Sequence, residues 1–168
     1  MAQDEGRFGR INCAVKCWAP KQVRPVVGAQ IVREHIYAYA AACPKNGKVS
    51  TLILPYANTE MMNLFLKPVS IDFSDYFVII QVDGAAWHRA HSLQIPENIR
   101  LIQQPPYSPE LNPVEHIWDD IREKEFANRA FGSIKAVMDA LCSGIQRLIG
   151  APDYVKSMTG FPHIINSL

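Results

Sequence analysis

The amino-acid sequence predicts an α/β domain, a mixed sheet with helices packed on it, and three observations carry that prediction. Two β-rich apolar segments near the start are followed by a tight turn and a third. A near-continuous apolar run, Phe77 to Val82, has the length of a buried strand. Two later segments repeat their apolar residues at helical spacing. Hairpin strands first, then strands alternating with helices, is the order of a mixed sheet. The 168 residues suit one domain, and 48% hydrophobic with 20% charged residues excludes a disordered tail, a collagen-like rod or a coiled coil.

Arg7 to Trp18 and Ile31 to Cys43 are rich in β-branched, aromatic and small apolar residues and are expected to be strands. Between them, the stretch Ala19 to Pro25 carries two prolines and two cations, Lys21 and Arg24, and reads as an exposed loop. Pro44-Lys45-Asn46-Gly47-Lys48 is a turn with a glycine available for positive φ, so the preceding strand and Val49 to Leu54 should form a hairpin. Asn58-Thr59-Glu60 is a capping signal for a short helix bearing Met61, Leu64, Phe65 and Pro68. Tyr76 to Asp83 is the most strand-like segment, and its apolar run suggests burial on both faces. Ile99 to Gln103 is a second, shorter strand. One helix runs from near Pro113 to near Phe126. Another places Ile134, Val137, Met138, Leu141, Cys142, Ile145, Leu148 and Ile149 on one face. Beyond Gly150 the pattern fades, and a loosely docked tail is expected.

Net charge is +1, but residues 1–56 hold eight Lys/Arg against three acids, and the remainder nine against thirteen. A polyanion partner beside a carboxylate site would produce this asymmetry, and so would a bland distribution of surface charge. No apolar run approaches the roughly 20 residues of a membrane-spanning helix, and the first residues lack a signal-peptide pattern. A cytoplasmic chain is the expectation. Cys13, Cys17, Cys43 and Cys142 form no Cys-x-x-Cys pair and have no histidine at zinc-finger spacing, so neither disulfides nor structural zinc is expected.

Several polar residues could carry chemistry. Asp83 ends the buried strand, the place where open α/β sheets bind ligands; the competing explanation is a loop-starting Asp that caps the next turn. Glu115 stands third after Asn112, a good N-cap, and Pro113, a good first helical residue, so a capping box would account for it. It also falls at the rim of the stripe Val114, Ile117, Trp118 and Ile121, with Asp119 on the same flank. Asp4 and Glu5 read as solvated surface. His88 and His91 could share a helical face, but zinc would need a third ligand that is not evident. Trp18, Trp87 and Tyr107 could stack on bases, though aromatics are more often core.

The segments Val82-Asp83-Gly84-Ala85-Ala86-Trp87-His88, Ile95-Pro96-Glu97-Asn98-Ile99 and Pro105-Pro106-Tyr107-Ser108-Pro109-Glu110-Leu111-Asn112-Pro113-Val114-Glu115 together resemble a mariner-superfamily DDE transposase. More narrowly, they resemble the catalytic domain of its bacterial insertion-sequence branch. Gln3 to Gly9, Trp18-Ala19-Pro20 with Arg24-Pro25, and Asn58 to Met62 with Phe65-Leu66 follow in the family's order, and the likeness runs from about residue 3 to 145. The resemblance implies a ribonuclease H-like fold over residues 1–150, with a mixed five-stranded sheet and flanking helices, followed by a tail over 151–168. It places the three catalytic acids on Asp4, Asp83 and Glu115. Carboxylates of this kind suit Mg²⁺ or Mn²⁺, hard cations that keep exchangeable waters. Two such ions roughly 4 Å apart can serve the attacking and the leaving oxygen.

The implied reaction is hydrolysis of a phosphodiester at a transposon end, then in-line attack of the freed 3′-hydroxyl on target DNA. Lys21, Arg24, His88 and Asn112 are the implied nucleic-acid contacts; for His88 a hydrogen bond that shapes the Asp83 turn is an equal alternative. The implied partners are DNA, a second copy of the chain in the active complex, and a separate N-terminal DNA-binding chain or segment. The family's helix-turn-helix region is missing from this sequence, and the strand expected to hold Asp4 is short on its N-terminal side. Two rival readings stand beside this one: a non-catalytic descendant that binds DNA or itself, and a structure-specific nuclease without strand transfer.

Overall fold

Strands β1 (Ala2–Ile11), β2 (Ile31–Ala42), β3 (Val49–Leu54), β4 (Val78–Val82) and β5 (Ile99–Gln103) form one sheet in the order β3-β2-β1-β4-β5. The coordinates are a computed structural model, which describes residues 1–12, 14–106 and 108–162. The first three strands are antiparallel neighbours, whereas β4 runs parallel to both β1 and β5. The mixed five-stranded sheet is therefore as expected. Its hairpin turn needs glycine twice over: Gly47 has φ of 71°, and a Cβ there would collide with the Pro152 carbonyl.

Helices cover the two faces unequally. Helix α1 (Thr59–Asp72) starts where Asn58 Oδ1 accepts the Met61 amide at 2.9 Å, and it runs on through Pro68, longer than the short helix expected. Its Met61, Met62, Phe65, Leu66 and Val69 bury Val78, Ile80 and Val82 of β4. On the other face, α2 (Val114–Ile121), α3 (Ile134–Ile149) and α4 (Pro152–Thr159) pack on β1, β2 and β3. That layer does not extend over β4. Ile79 is consequently 45% exposed and Phe77 65%, so the expectation of burial on both faces of this strand fails.

Two further expectations are corrected. β1 begins at Ala2 rather than Arg7 and ends at Ile11, short of Trp18. Antiparallel pairing of Ala2 with Ala42 and Asp4 with Ala40 carries the charged residues into the sheet. Residues 14–26 lie exposed, with Trp18 fully so. Residues 152–159, expected to be tail, instead form α4, whose Val155 and Thr159 are fully buried. Only that one narrow stripe faces the core, too little periodicity to mark a helix in the sequence.

The later helices follow the sequence closely. Asn112 Oδ1 accepts the Val114 amide at 3.2 Å, and a π-helical turn continues α2 from Arg122 to Phe126, the expected end. Ser133 Oγ caps α3 through the Ala136 amide. Val137, Leu141, Ile145 and Leu148 are buried along α3, while Met138 and Ile149 at the margin of the predicted face are exposed. Asp120, buried near the end of α2, ties these helices together by accepting from Tyr154 at 2.6 Å and Arg147 at 2.7 Å. Burial would raise its pKa, but the hydrogen bonds from Lys124, Tyr154 and Arg147 prevail and lower it. Among the described residues, no helix is long and apolar enough to cross a membrane.

Candidate active site

Strand alternation sends successive side chains of β1 to opposite faces, and both acids of the Asp4-Glu5 pair are used. Asp4 points toward α2. There the indole Nε1–H of Trp118 donates to Asp4 Oδ2 at 2.8 Å. The approach depends on Gly6, where a Cβ would stand 2.8 Å from both Trp118 Cδ2 and Phe8 Cε2. Glu115 lies one helical turn before Trp118, on the side that faces Asp4. Desolvation, with the charge of Glu115 second, pushes the Asp4 carboxyl up to about 7, although the Trp118 hydrogen bond opposes the rise.

Glu115 itself is exposed. Among the described residues its carboxylate makes no bond back to the Asn112 amide, so the capping box that would have explained it is not formed. Asn112 alone caps the helix.

Asp83 stands just past β4. Ala2 pairs with Gln81 across the parallel ladder, so Asp83 lies as far beyond that pair as Asp4 does. Its Oδ1 accepts the Ala85 amide at 2.9 Å and faces His88 Nδ1 at 2.9 Å. The His88 contact first, and the Ala85 amide with it, hold its pKa below the usual range against the effect of burial. His88, on the 3₁₀ turn Ala86–Arg89, has a side chain with no exposure at all. Burial would lower its pKa, but hydrogen bonds to Asp83 and Glu5 raise it to about 9, which favours the charged ring at neutral pH.

Glu5 is the residue that sequence reasoning missed. Far from being solvated, its side chain is 4% exposed. Gln3 Nε2, His88 Nε2 and Trp87 Nε1 converge on its Oε1 at 3.0, 3.1 and 3.3 Å. The available signal was the alternation of β1: if Asp4 meets a helix on one face, its neighbour must meet whatever covers the other.

Of the residues expected to touch nucleic acid, Lys21 and Arg24 are exposed on the loop between β1 and β2. His88 and Asn112 are buried at 5% exposure each; both ring nitrogens of His88 face protein oxygens, and Asn112 Oδ1 accepts the Val114 amide. Trp87 is partly buried against Glu5; Tyr107 lies outside the described residues.

The donor set is chemically apt for a hard divalent cation, since every candidate ligand is a carboxylate oxygen and two of them, Asp4 and Glu115, repel each other. The three are not gathered into one cluster. Among the described residues no group of three or more His, Cys, Asp or Glu side chains is arranged to hold an ion: Asp4 answers to Glu115, whereas Asp83 is turned to His88.

A model of the DDE superfamily endonuclease family matches residues 1–138. The chain belongs to the DDE superfamily of endonucleases. An uncharacterized protein of Sinorhizobium fredii, y4pE/y4sA, is 37% identical over 124 residues, covering 73% of this chain and 91% of that protein. Among solved structures, the Mos1 transposase paired-end complex with left transposon end superposes with a TM-score of 0.62 at 17% identity. It covers 95% of this chain and 55% of the Mos1 chain. The Mos1 mariner paired-end complex with Mn gives the same values, and the Mos1 strand transfer complex a TM-score of 0.59. This DDE chain thus has the ribonuclease H-like fold of the Mos1 transposase and spans about half its length.

The carboxylates make the stability of the metal-free DDE domain depend on pH in a definite direction. Asp4 holds its proton up to about 7 when folded but only to 3.8 when unfolded, so stability falls as pH rises between those values. His88 stays charged up to about 9 when folded and to 6.5 when unfolded, so its contribution is also lost as pH rises through that window. The lowered Asp83 and Asp120 act in the opposite sense, and their contributions are lost as pH falls below 3.8. Melting temperature in chelator should therefore peak in mild acid and decline toward pH 9. Asp4→Asn should remove the part of the decline below neutrality, and a flat profile would contradict the assignment.

Proposed function

We propose that this chain is a metal-dependent DNA-cutting and joining domain of a transposase, in which Asp4, Asp83 and Glu115 are the catalytic acids. The observation that carries the reading is the Asp4–Glu115 pair: two carboxylates brought into mutual repulsion on facing elements, which a proton on Asp4 relieves in the metal-free protein and a shared cation would relieve in its place. Mg²⁺ or Mn²⁺, one ion or two, would be held by Asp4, Asp83 and Glu115 and would supply charge neutralisation of the phosphate and activation of the attacking oxygen. The protein's own part is to hold the carboxylates. Trp118 fixes Asp4 through one oxygen, and the Ala85 amide and His88 fix Asp83 through one oxygen, so each keeps a second oxygen for a ligand.

The substrate is DNA: a phosphodiester at a transposon end is hydrolysed, and the 3′-hydroxyl so produced attacks a target strand. The solved relatives are Mos1 transposase complexes with a transposon end, with Mn and after strand transfer, and their fold is shared here. Lys21 and Arg24 are proposed backbone contacts, since phosphate attraction requires only positive charge within reach. A homodimer, a separate N-terminal DNA-binding segment, an origin in a bacterial insertion sequence and a cytoplasmic location complete the proposal.

Metal titration tests it. Mn²⁺ at 100 times its dissociation constant should stabilise the fold by about 2.7 kcal/mol, seen as a rise in melting temperature, and Asp83→Ala should abolish the rise. The separation of Asp83 from the Asp4–Glu115 pair favours one rival, a non-catalytic DNA-binding descendant, and that rival predicts no Mn²⁺ shift in an intact fold. A pre-cut transposon end mixed with plasmid then separates transposase from nuclease. Joined product supports the proposal, and cutting without joining identifies a nuclease.

A further inference from the structure

Glu5 touches neither Asp4's partners nor any ligand position, yet it is among the most heavily bonded acids in the chain. Three donors from three residues meet on its Oε1, and one of them, Gln3, is 1% exposed, with no partner for its own Oε1 among the described residues. A buried carboxylate is costly unless it is fully hydrogen-bonded, and nothing in the packing of β1 requires a charge on this face. What Glu5 does hold is the ring of His88. Nε2 faces Glu5 Oε1 at 3.1 Å, and Nδ1 faces Asp83 Oδ1 at 2.9 Å, with the ring sealed from solvent between them. An imidazole gripped at both nitrogens cannot rotate about either axis without breaking a bond.

We infer that Glu5 is a positioning residue for Asp83: it orients His88 so that Nδ1 pins Asp83 Oδ1 and leaves Oδ2 turned out for a divalent cation. The inference rests on the reading of Asp83 as a metal ligand and adds the device that aims it. Among the described residues, the Ala85 amide and the His88 ion pair both fall on Asp83 Oδ1, and His88 Nδ1 also meets the Asp83 carbonyl at 3.3 Å. Residues that orient ligands in this way commonly change metal affinity as much as weak ligands do.

Mn²⁺ binding to the whole chain, followed by calorimetry or electron paramagnetic resonance, tests this directly, with Asp83→Ala defining the site in question. Glu5→Ala should weaken that site by ~10–100-fold. Glu5→Gln, which keeps an oxygen acceptor for His88, Trp87 and Gln3, should restore most of the affinity. The double variant Glu5→Ala/His88→Ala should bind no more weakly than His88→Ala alone, because Glu5 acts only through the ring. An unchanged affinity in Glu5→Ala, or losses that multiply in the double variant, overturns the inference. Glu5→Met, similar in volume and without an acceptor, takes the place of Glu5→Ala if the smaller side chain does not fold.

A second measurement needs no metal. In chelator, the melting-temperature losses of Glu5→Ala and Asp83→Asn should be less than additive, and should become additive once His88→Ala is present in both. If that coupling is found while Mn²⁺ fails to bind the parent chain, the relay stands and the proposed catalytic function falls. Full additivity in the parent background overturns the relay whether or not Mn²⁺ binds.

Discussion

Glu115→Gln is expected to leave the fold nearly intact while DNA cutting falls by several powers of ten. The amide has the shape of the carboxylate, the side chain is exposed, and no capping-box bond to Asn112 is lost. What changes is charge. A cation held by three acids loses one of its anionic ligands, and several kcal/mol of charge stabilisation corresponds to a rate loss on the order of 10³-fold. The same substitution removes the neighbour that raises Asp4, so the Asp4 carboxyl should titrate below its present value of about 7 in metal-free protein. Side-chain carboxyl NMR measures that shift, and a cleavage assay on end DNA measures the rate. Wild-type turnover accompanied by a sharp drop in melting temperature would return Glu115 to a structural role.

Trp118→Ala should be the most damaging single change to stability. Trp118 is fully buried, packs edge-on against Phe8 with ring centroids 5.8 Å apart, and closes over Gly6. Truncating a buried aromatic of this size costs about 3–5 kcal/mol, a large share of the roughly 5–15 kcal/mol that holds a domain folded. Trp118→Phe separates packing from hydrogen bonding. It keeps most of the ring but loses the Nε1–H that Asp4 Oδ2 accepts at 2.8 Å. Asp4 should then titrate higher than about 7, since that bond is what opposes burial and the Glu115 charge. Chemical denaturation gives the stability loss, and an Asp4 pKa unchanged in Trp118→Phe would show that the indole does not steady the carboxylate.

Local rules made part of this architecture readable. Asn58, Asn112 and Ser133 each stand at a helix start and cap it through a side-chain oxygen, as their residue types suggest. Asn46-Gly47 turned the β2–β3 hairpin where it was expected. The failures share one cause, which is that burial is decided by what packs on an element rather than by the element itself. Ile79 sits in an apolar run yet faces solvent because, among the described residues, no helix covers that face of β4. Glu5 is charged yet buried because Gln3, Trp87 and His88, the last two over 80 positions away, supply its hydrogen bonds. The β1 boundary was misplaced for the same reason: Asp4 and Glu5 look like surface until both faces of the strand have partners. As for the site, motif likeness pointed to Asp4, Asp83 and Glu115, and of the two roles open to His88 the contact that shapes the Asp83 turn is the one seen.

The central position of β1 has a consequence for when activity can arise. Its antiparallel partner begins at Ile31, but its parallel partner begins only at Val78 and the helix bearing Trp118 and Glu115 only at Val114. Closing those long loops is slow compared with zipping up a local hairpin. A nascent or proteolysed chain that had completed only β1–β2–β3 would carry Asp4 with neither of its distant counterparts. Any nuclease activity of the finished domain is therefore withheld from its folding intermediates, a safeguard written into the strand order itself.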